Sequence, residues 1–264
     1  MLHEYVVDQT TVPWRGLNKE GWPKEKVTYV RRLLDGLDGG PEAINTRHPE
    51  GYGSDAHFHL GAQFQVLIHG SLSFPNIRME APAVHYTDHN VAYGPFTSNN
   101  GEDIFVLHAK RANAVQMKDL KDRESRRLVN RTGREITAVG NDCPWQPMVG
   151  HAGAKRKVLI SEKEGPAAEL MECPPGMDLT LGEAHHGRYD VVLSGSVTLK
   201  GKQLGPRSLR FVRGDEAPSP IKCGPQGATI ITLTFGKDAE WVAPEDLNVS
   251  SVWSKLPMVP GMAP

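Results

Sequence analysis

The sequence predicts an all-β protein folded as two tandem barrels, and three observations predict it. Short runs with β character follow one another between turn residues, the second half repeats the framework of the first, and only one segment reads as helical. The runs include Lys26-Val-Thr-Tyr-Val-Arg31, Phe64-Gln-Val-Leu-Ile68, Ile104-Phe-Val-Leu107, Lys157-Val-Leu-Ile160, Tyr189-Asp-Val-Val-Leu193 and Thr229-Ile-Ile-Thr-Leu-Thr234. The 27 glycines and 20 prolines are spread along the chain and separate these runs. Many short strands between turn signals are the pattern of a β-sandwich or barrel. The helical candidate is Ala114 to Val129, rich in Lys, Arg, Asp and Glu, and reads as a solvated connector.

The repeat comes from comparing the chain with itself. Gln63-Phe-Gln-Val-Leu-Ile-His-Gly-Ser-Leu-Ser-Phe74 resembles Arg188-Tyr-Asp-Val-Val-Leu-Ser-Gly-Ser-Val-Thr-Leu199 at an offset of 125 residues. Upstream, Ile44 to Pro49 matches Leu170 to Pro175, and downstream Gly101 to His108 matches Gly227 to Thr234, both at an offset of 126. Three matches in order at almost one offset indicate a duplication. The organisation that follows is an N-terminal arm (residues 1–18), a first barrel (19–112), a charged connector (113–150), a second barrel (151–246) and a C-terminal tail (247–264).

The first repeat contains the chemistry-bearing residues. Gly51 is followed after five residues by His57, then after one by His59, after three by Gln63 and after six by Gly70. Alternate strand residues share a face, so His57 and His59 project together. A turn at Leu60-Gly61-Ala62 lets the returning strand present Gln63 beside them. Imidazoles suit iron, nickel, copper, zinc and manganese, and two or three of them leave positions open for a substrate. This spacing resembles the first signature of the cupin superfamily, with glutamine where that signature has glutamate. The resemblance implies two tandem cupin barrels of the jelly-roll, double-stranded β-helix type, in other words a bicupin.

The second cupin signature, which normally supplies another histidine, is degraded here. Its stretch Val91-Ala-Tyr-Gly-Pro-Phe-Thr-Ser-Asn-Asn-Gly-Glu102 has no histidine, the usual position falling near Phe96 or Thr97. His108 is the preferred replacement, because it shares a strand face with Ile104 and Val106; His85 and His89 are the other candidates. The expected metal ligands are therefore His57, His59, Gln63 and His108, around a divalent transition metal (Fe, Mn, Ni or Zn). Gln65 and Tyr93 are expected to orient the substrate. With Gln63 and Gln65 inward, Phe64, Val66 and Ile68 form an apolar outer face, and the inner face becomes a polar pocket. The outer face needs cover from the partner barrel or from another subunit, so a homodimer is expected.

The second repeat reads Gly182-Glu-Ala-His-His-Gly-Arg188-Tyr-Asp190 in the corresponding place. Glu183 aligns with His57, His185 with His59, and Arg188 with Gln63. A cation at that position opposes a metal, so this barrel reads as a degenerate site with a scaffolding or dimer-forming role.

The remaining sequence is informative by exclusion. The formal net charge of −1 gives no electrostatic footprint for nucleic acid or an anionic membrane. The beginning Met1-Leu-His-Glu-Tyr lacks the basic and apolar regions of a signal peptide, and no run approaches a bilayer span, so a cytoplasmic location is expected. Cys143, Cys173 and Cys223 have no close sequence pairing and read as unpaired thiols. The resemblance implies a metal-dependent enzyme acting on a small polar organic molecule, with oxygenase- or lyase-type chemistry. The alternative is a non-catalytic binding or sensor cupin.

Overall fold

The period of two in the strands decides the layering. In the strand Gln63–Ser73, Phe64 and Val66 point away from Gln63 and Gln65, and strand Phe96–His108 places Phe105 and Leu107 on that same apolar side. The computed structural model describes residues 2–18, 23–239 and 241–256. It contains two large antiparallel sheets with the same order of strands. In the first the order is Glu135–Val139, Ala83–Thr87, Gln63–Ser73, Phe96–His108, Glu42–His48, Val27–Asp35, Arg15–Asn18. In the second it is His3–Val7, Leu209–Gly214, Ala184–Leu199, Ile221–Thr234, Ala167–Cys173, Lys155–Ser161, Gln146–Pro147. The central three strands of each carry the sequence repeat.

The edge strands cross between the halves. His3–Val7, from the N-terminal arm, pairs with Leu209–Gly214 in the second barrel, while Glu135–Val139, from the connector, takes the equivalent place in the first. The connector is thus woven into both barrels rather than solvated. Its helical expectation is corrected: Ala114–Gln116 is a strand, followed by short 3₁₀ turns at Met117–Asp119 and Ser125–Leu128. Val115, Leu120 and Leu128 are the reason. They are too few and too irregularly spaced for a helical stripe, and they bury instead against Phe58, Leu247 and Val252. The single α-helix among the described residues, Val249–Trp253, belongs to the C-terminal tail, whose Pro257-to-Pro264 end lies outside the described residues.

The apolar outer faces meet each other. Phe64, Val66, Tyr86 and Phe105 of the first barrel pack with Tyr189, Phe211, Leu233 and Phe235 of the second in one buried cluster. Phe64 and Phe235 meet edge to face at 4.9 Å. Tyr189 Oη shares its one proton across this seam between the backbone carbonyls of Glu42 and His108, at 2.9 Å each. The face from which a homodimer was expected is therefore covered within the chain. Among the described residues no helix is long and apolar enough to cross a membrane.

The equivalence of the repeats extends to atoms. Gly70 has φ +81°, and a Cβ there would stand 1.8 Å from Gly101 O; Gly195 has φ +70°, and a Cβ there would stand 2.1 Å from Gly227 O. Both strands need glycine because the neighbouring backbone occupies the side-chain position. Gly70→Ala is expected to lower stability by roughly 3 kcal/mol or more, from the left-handed backbone and the overlap together. Urea unfolding followed by circular dichroism measures it.

Candidate metal and ligand site in the first barrel

The strand His57–His59 is short, and all of it is buried. Phe58 faces the cluster with Val115 and Leu128, so the two histidines face the barrel interior. The strand does not pair with Gln63–Ser73 as a hairpin would. Its partner is Ala114–Gln116, with a bridge from His57 to Tyr93. The turn at Leu60-Gly61-Ala62 carries the chain from one wall of the barrel to the other, with Leu60 N bonded to Asn113 O. The histidines and Gln63 thus approach one another across the interior.

Three of the four expected ligands present unpartnered acceptors. His108 donates from Nδ1 to Ala62 O at 3.2 Å, which leaves the Nε2 lone pair bare and buried. His59 Nδ1 and Gln63 Oε1 are also buried without a hydrogen-bond partner among the described residues. The His59 and His108 rings lie 5.0 Å apart, and the His57 and His59 rings 5.4 Å. His57 differs from the other two. Its Nδ1 bonds Asp55 O at 2.7 Å, and its Nε2 accepts from Tyr93 Oη at 2.8 Å. Gln65 Nε2 in turn donates to Tyr93 Oη at 2.9 Å. Gln63 Nε2 is anchored on Thr87 Oγ1 at 3.1 Å.

Burial makes these imidazoles neutral. It lowers the pKa of His57, lowers His59 well below the ordinary value with help from neighbouring His108 and His57, and lowers His108 to about 4. Burial also raises the Tyr93 hydroxyl, which stays a proton donor. Neutral imidazoles with exposed lone pairs, beside an amide oxygen, fit a divalent transition metal. The donor set carries no carboxylate, and the third lone pair is held by Tyr93. Among the described residues no three His, Cys, Asp or Glu side chains converge as a ready-made metal cluster.

His85 and His89, the other candidates for a third ligand, border the site: the His85 ring lies 5.4 Å from that of Tyr93, and His89 is near enough to His108 to help lower its pKa. His85 stacks on Phe74 with ring centroids 4.7 Å apart and bonds Thr137 Oγ1 at 2.8 Å. His89 stacks on Trp241 at 6.0 Å.

A cavity of about 420 Å³ opens in front of His57, His59, Gln65 and Tyr93. Its body is mainly apolar, built from Val30, Ile44, Phe96, Ile104 and Val106, with Arg32 beside Ile44 in the lining. The expected polar pocket is therefore corrected: Ile104 and Val106 follow the same inward parity as His108 and line the middle of the barrel. Two polar residues that sequence reasoning passed over, His48 and Glu102, stand in the same wall. Only the antiparallel register, which sets Glu102 opposite His48, reveals them as a pair.

The second barrel shows the opposite interior. Arg188 donates from Nε to Asp190 at 2.9 Å, and Arg210 donates from Nε to the other oxygen of Asp190 at 2.7 Å. Glu4, from the N-terminal strand, accepts from Arg210 Nη1 at 3.2 Å. Arg188 and Asp190 stand where Gln63 and Gln65 stand in the first barrel, and the interior cavity there is about 10 Å³. His185 is exposed at the rim, between Glu183 at 3.1 Å and Asp215 at 2.8 Å, and His186 is exposed beside it.

No family model matches the chain, and no curated protein matches it in sequence. Solved structures do match in fold. A candidate dioxygenase from Nostoc punctiforme PCC 73102 superposes with a TM-score of 0.64 at 13% identity, over 91% of this chain and 85% of that one. Oxalate decarboxylase from Bacillus subtilis gives 0.60 at 11% identity, over 90% and 77%. The protein GK1651 from Geobacillus kaustophilus gives 0.61 at 10% identity, over 90% and 98%. The chain has the bicupin fold: two cupin barrels in tandem, back to back, as in oxalate decarboxylase.

His85, beside Tyr93 and bonded to Thr137, contributes to the pH dependence of stability. Burial lowers its pKa from 6.5 to about 4. The unfolded chain therefore binds a proton that the folded chain refuses. Stability is full above about pH 6.5 and declines as the pH falls toward about 4, by on the order of 2–3 kcal/mol from this residue. Denaturant midpoints measured at pH 7.5 and pH 4.5 are expected to converge in part in His85→Gln.

Proposed function

We propose that the first barrel is a metal-dependent site for a small organic molecule, with oxygenase- or lyase-type chemistry, and that the second barrel is its scaffold. One observation carries this reading: the buried acceptors without partners, His59 Nδ1, Gln63 Oε1 and His108 Nε2, belong to residues expected as ligands. Leaving three such atoms buried and unpaired costs several kcal/mol, which a divalent cation bound among them would offset. His59 and His108 would hold the metal, with Gln63 as an oxygen donor and His57 joining once its lone pair is released from Tyr93. Bound there, a metal supplies a Lewis acid, or a redox centre if it is iron or manganese. Oxalate decarboxylase from Bacillus subtilis, which shares the fold, has Mn(II) centres.

The chain's own residues give the rest of the site its properties. Tyr93 Oη keeps a proton beside His57 and is oriented by Gln65. The apolar side chains in the walls lower the local polarity, which strengthens polar contacts at the ends of the cavity. The second reading, a binding or sensor cupin without turnover, draws on the hydrogen bond that holds His57 Nε2 away from a metal.

Metal analysis of the purified protein distinguishes the two. The enzyme reading expects about one transition metal per chain, lost in His59→Ala and in His108→Ala. Protein that stays metal-free on incubation with Mn(II), Fe(II), Ni(II) and Zn(II) would leave the binding reading. Two further variants report on the ligand set by calorimetric titration with Mn(II). Tyr93→Phe, which frees His57 Nε2, and Gln63→Glu, which restores a carboxylate, are each expected to tighten binding about tenfold or more. Unchanged affinity in both would remove His57 and Gln63 from the metal site.

A further inference from the structure

The wall of the first-barrel cavity contains a carboxylate with half of its hydrogen-bonding capacity unused. Glu102 is 3% exposed. Its Oε1 lies 2.6 Å from His48 Nδ1, directly across the strand pair. Its Oε2 is buried and has no partner among the described residues. Thr46 Oγ1, on the neighbouring strand and in the same cavity wall, is buried and unpartnered as well. His48 is fixed in turn by stacking on Tyr52, with centroids 3.8 Å apart and planes 9° apart.

The position of this carboxylate within the barrel is informative. Glu102, Ile104, Val106 and His108 share the inward face of one strand, so Glu102 and His108 stand at opposite ends of it, roughly 20 Å apart along the backbone. The cavity therefore has a carboxylate end, an apolar middle and an imidazole end. A buried carboxylate oxygen facing a cavity is stabilised by a donor, and among the described residues no group donates to Glu102 Oε2.

We infer that Glu102, oriented by His48, is the anchor that selects the ligand of the first-barrel cavity by a hydrogen-bond donor, a hydroxyl or ammonium group carried on an apolar body. This rests on the reading of that cavity as the ligand site, and deepens it by naming the class of molecule. The donor sits at the Glu102 end and the apolar body lies against Ile104 and Val106. The opposite end of the ligand points toward His57 and His59. A ligand whose only polar group is a carboxylate is disfavoured at the Glu102 end by like charge.

The test uses four probes of one shape: benzyl alcohol, benzylamine, benzoate and toluene. Each is titrated into the full-length protein and followed by amide chemical shifts and by nuclear Overhauser contacts from the probe. Benzyl alcohol or benzylamine is expected to bind at least tenfold more tightly than toluene, with its methylene protons contacting His48 and Thr46. In Glu102→Leu that preference is expected to vanish while toluene binding is kept; in Glu102→Gln, which retains an acceptor for His48, benzylamine is expected to weaken relative to benzyl alcohol. Tighter binding of benzylamine than of benzyl alcohol to the wild type would identify the donor as cationic, and the reverse as a hydroxyl. Toluene and the donor probes binding equally well in the wild type would overturn the anchor while leaving the cavity as a ligand site. A polar probe end found at His59 rather than at His48 would do the same, and needs no variant to fold. No probe perturbing the Phe96, Ile104 or Val106 amides would overturn the cavity reading and the anchor together.

Discussion

The seam between the barrels is the constraint on which the rest of the structure depends. Phe64, Val66 and Phe105 on one side, and Tyr189, Phe211 and Phe235 on the other, are almost completely removed from water. Burying side chains of this size contributes about 1.5–3 kcal/mol each. Because strand side chains alternate, committing Phe64 and Val66 to the seam forces Gln63 and Gln65 into the interior. A shift of one residue would exchange the two sets, placing glutamines in an apolar seam. The seam thus fixes which residues the barrel interior can use. Tyr189 extends this control, since its hydroxyl is bonded to the carbonyl of His108, the residue that carries the bare Nε2.

The two interiors solve the same burial problem with opposite chemistry. The second barrel fills its interior with Arg188, Asp190, Arg210 and Glu4, whose charges are paired and hydrogen-bonded to each other. Such an arrangement is costly to break by removing one member and leaves little room for a ligand. The first barrel buries neutral imidazoles and amides, with acceptors left over and a cavity of about 420 Å³ in front of them. The proposed site thus lies in the half that keeps an open cavity. The N-terminal arm has a part in this division, because Glu4 reaches Arg210 only when His3–Val7 crosses to the second barrel.

The cysteines show the limit of spacing as a guide. Cys173 and Cys223 are 50 residues apart in sequence, yet both bury in the interior cluster of the second barrel, as free thiols. Antiparallel pairing of Ala167–Cys173 and of Ala184–Leu199 with Ile221–Thr234 brings them into one layer. In the same way, His48 and Glu102 are ordinary polar residues in the sequence and become a pair only through the register of two strands 54 positions apart.

By itself the sequence determined the fold and the direction in which the key side chains point. Alternation within Gln63-Phe-Gln-Val and Arg188-Tyr-Asp-Val, repeated at an offset of 125 residues, required two barrels with apolar backs and turned Gln63, Gln65, Arg188 and Asp190 inward, since strand geometry is local and has a period of two. The glycines at 70 and 195 marked where backbones come too close for a side chain. Only the tertiary structure decided that the His57–His59 strand pairs with Ala114–Gln116 rather than with the strand that follows it. It alone placed Tyr93 on His57, left His59 and His108 with bare lone pairs, and made the cavity mainly apolar with Glu102 at its far end. These are relations between strands distant in the chain, set by register and packing across a closed barrel, and local periodicity does not encode them.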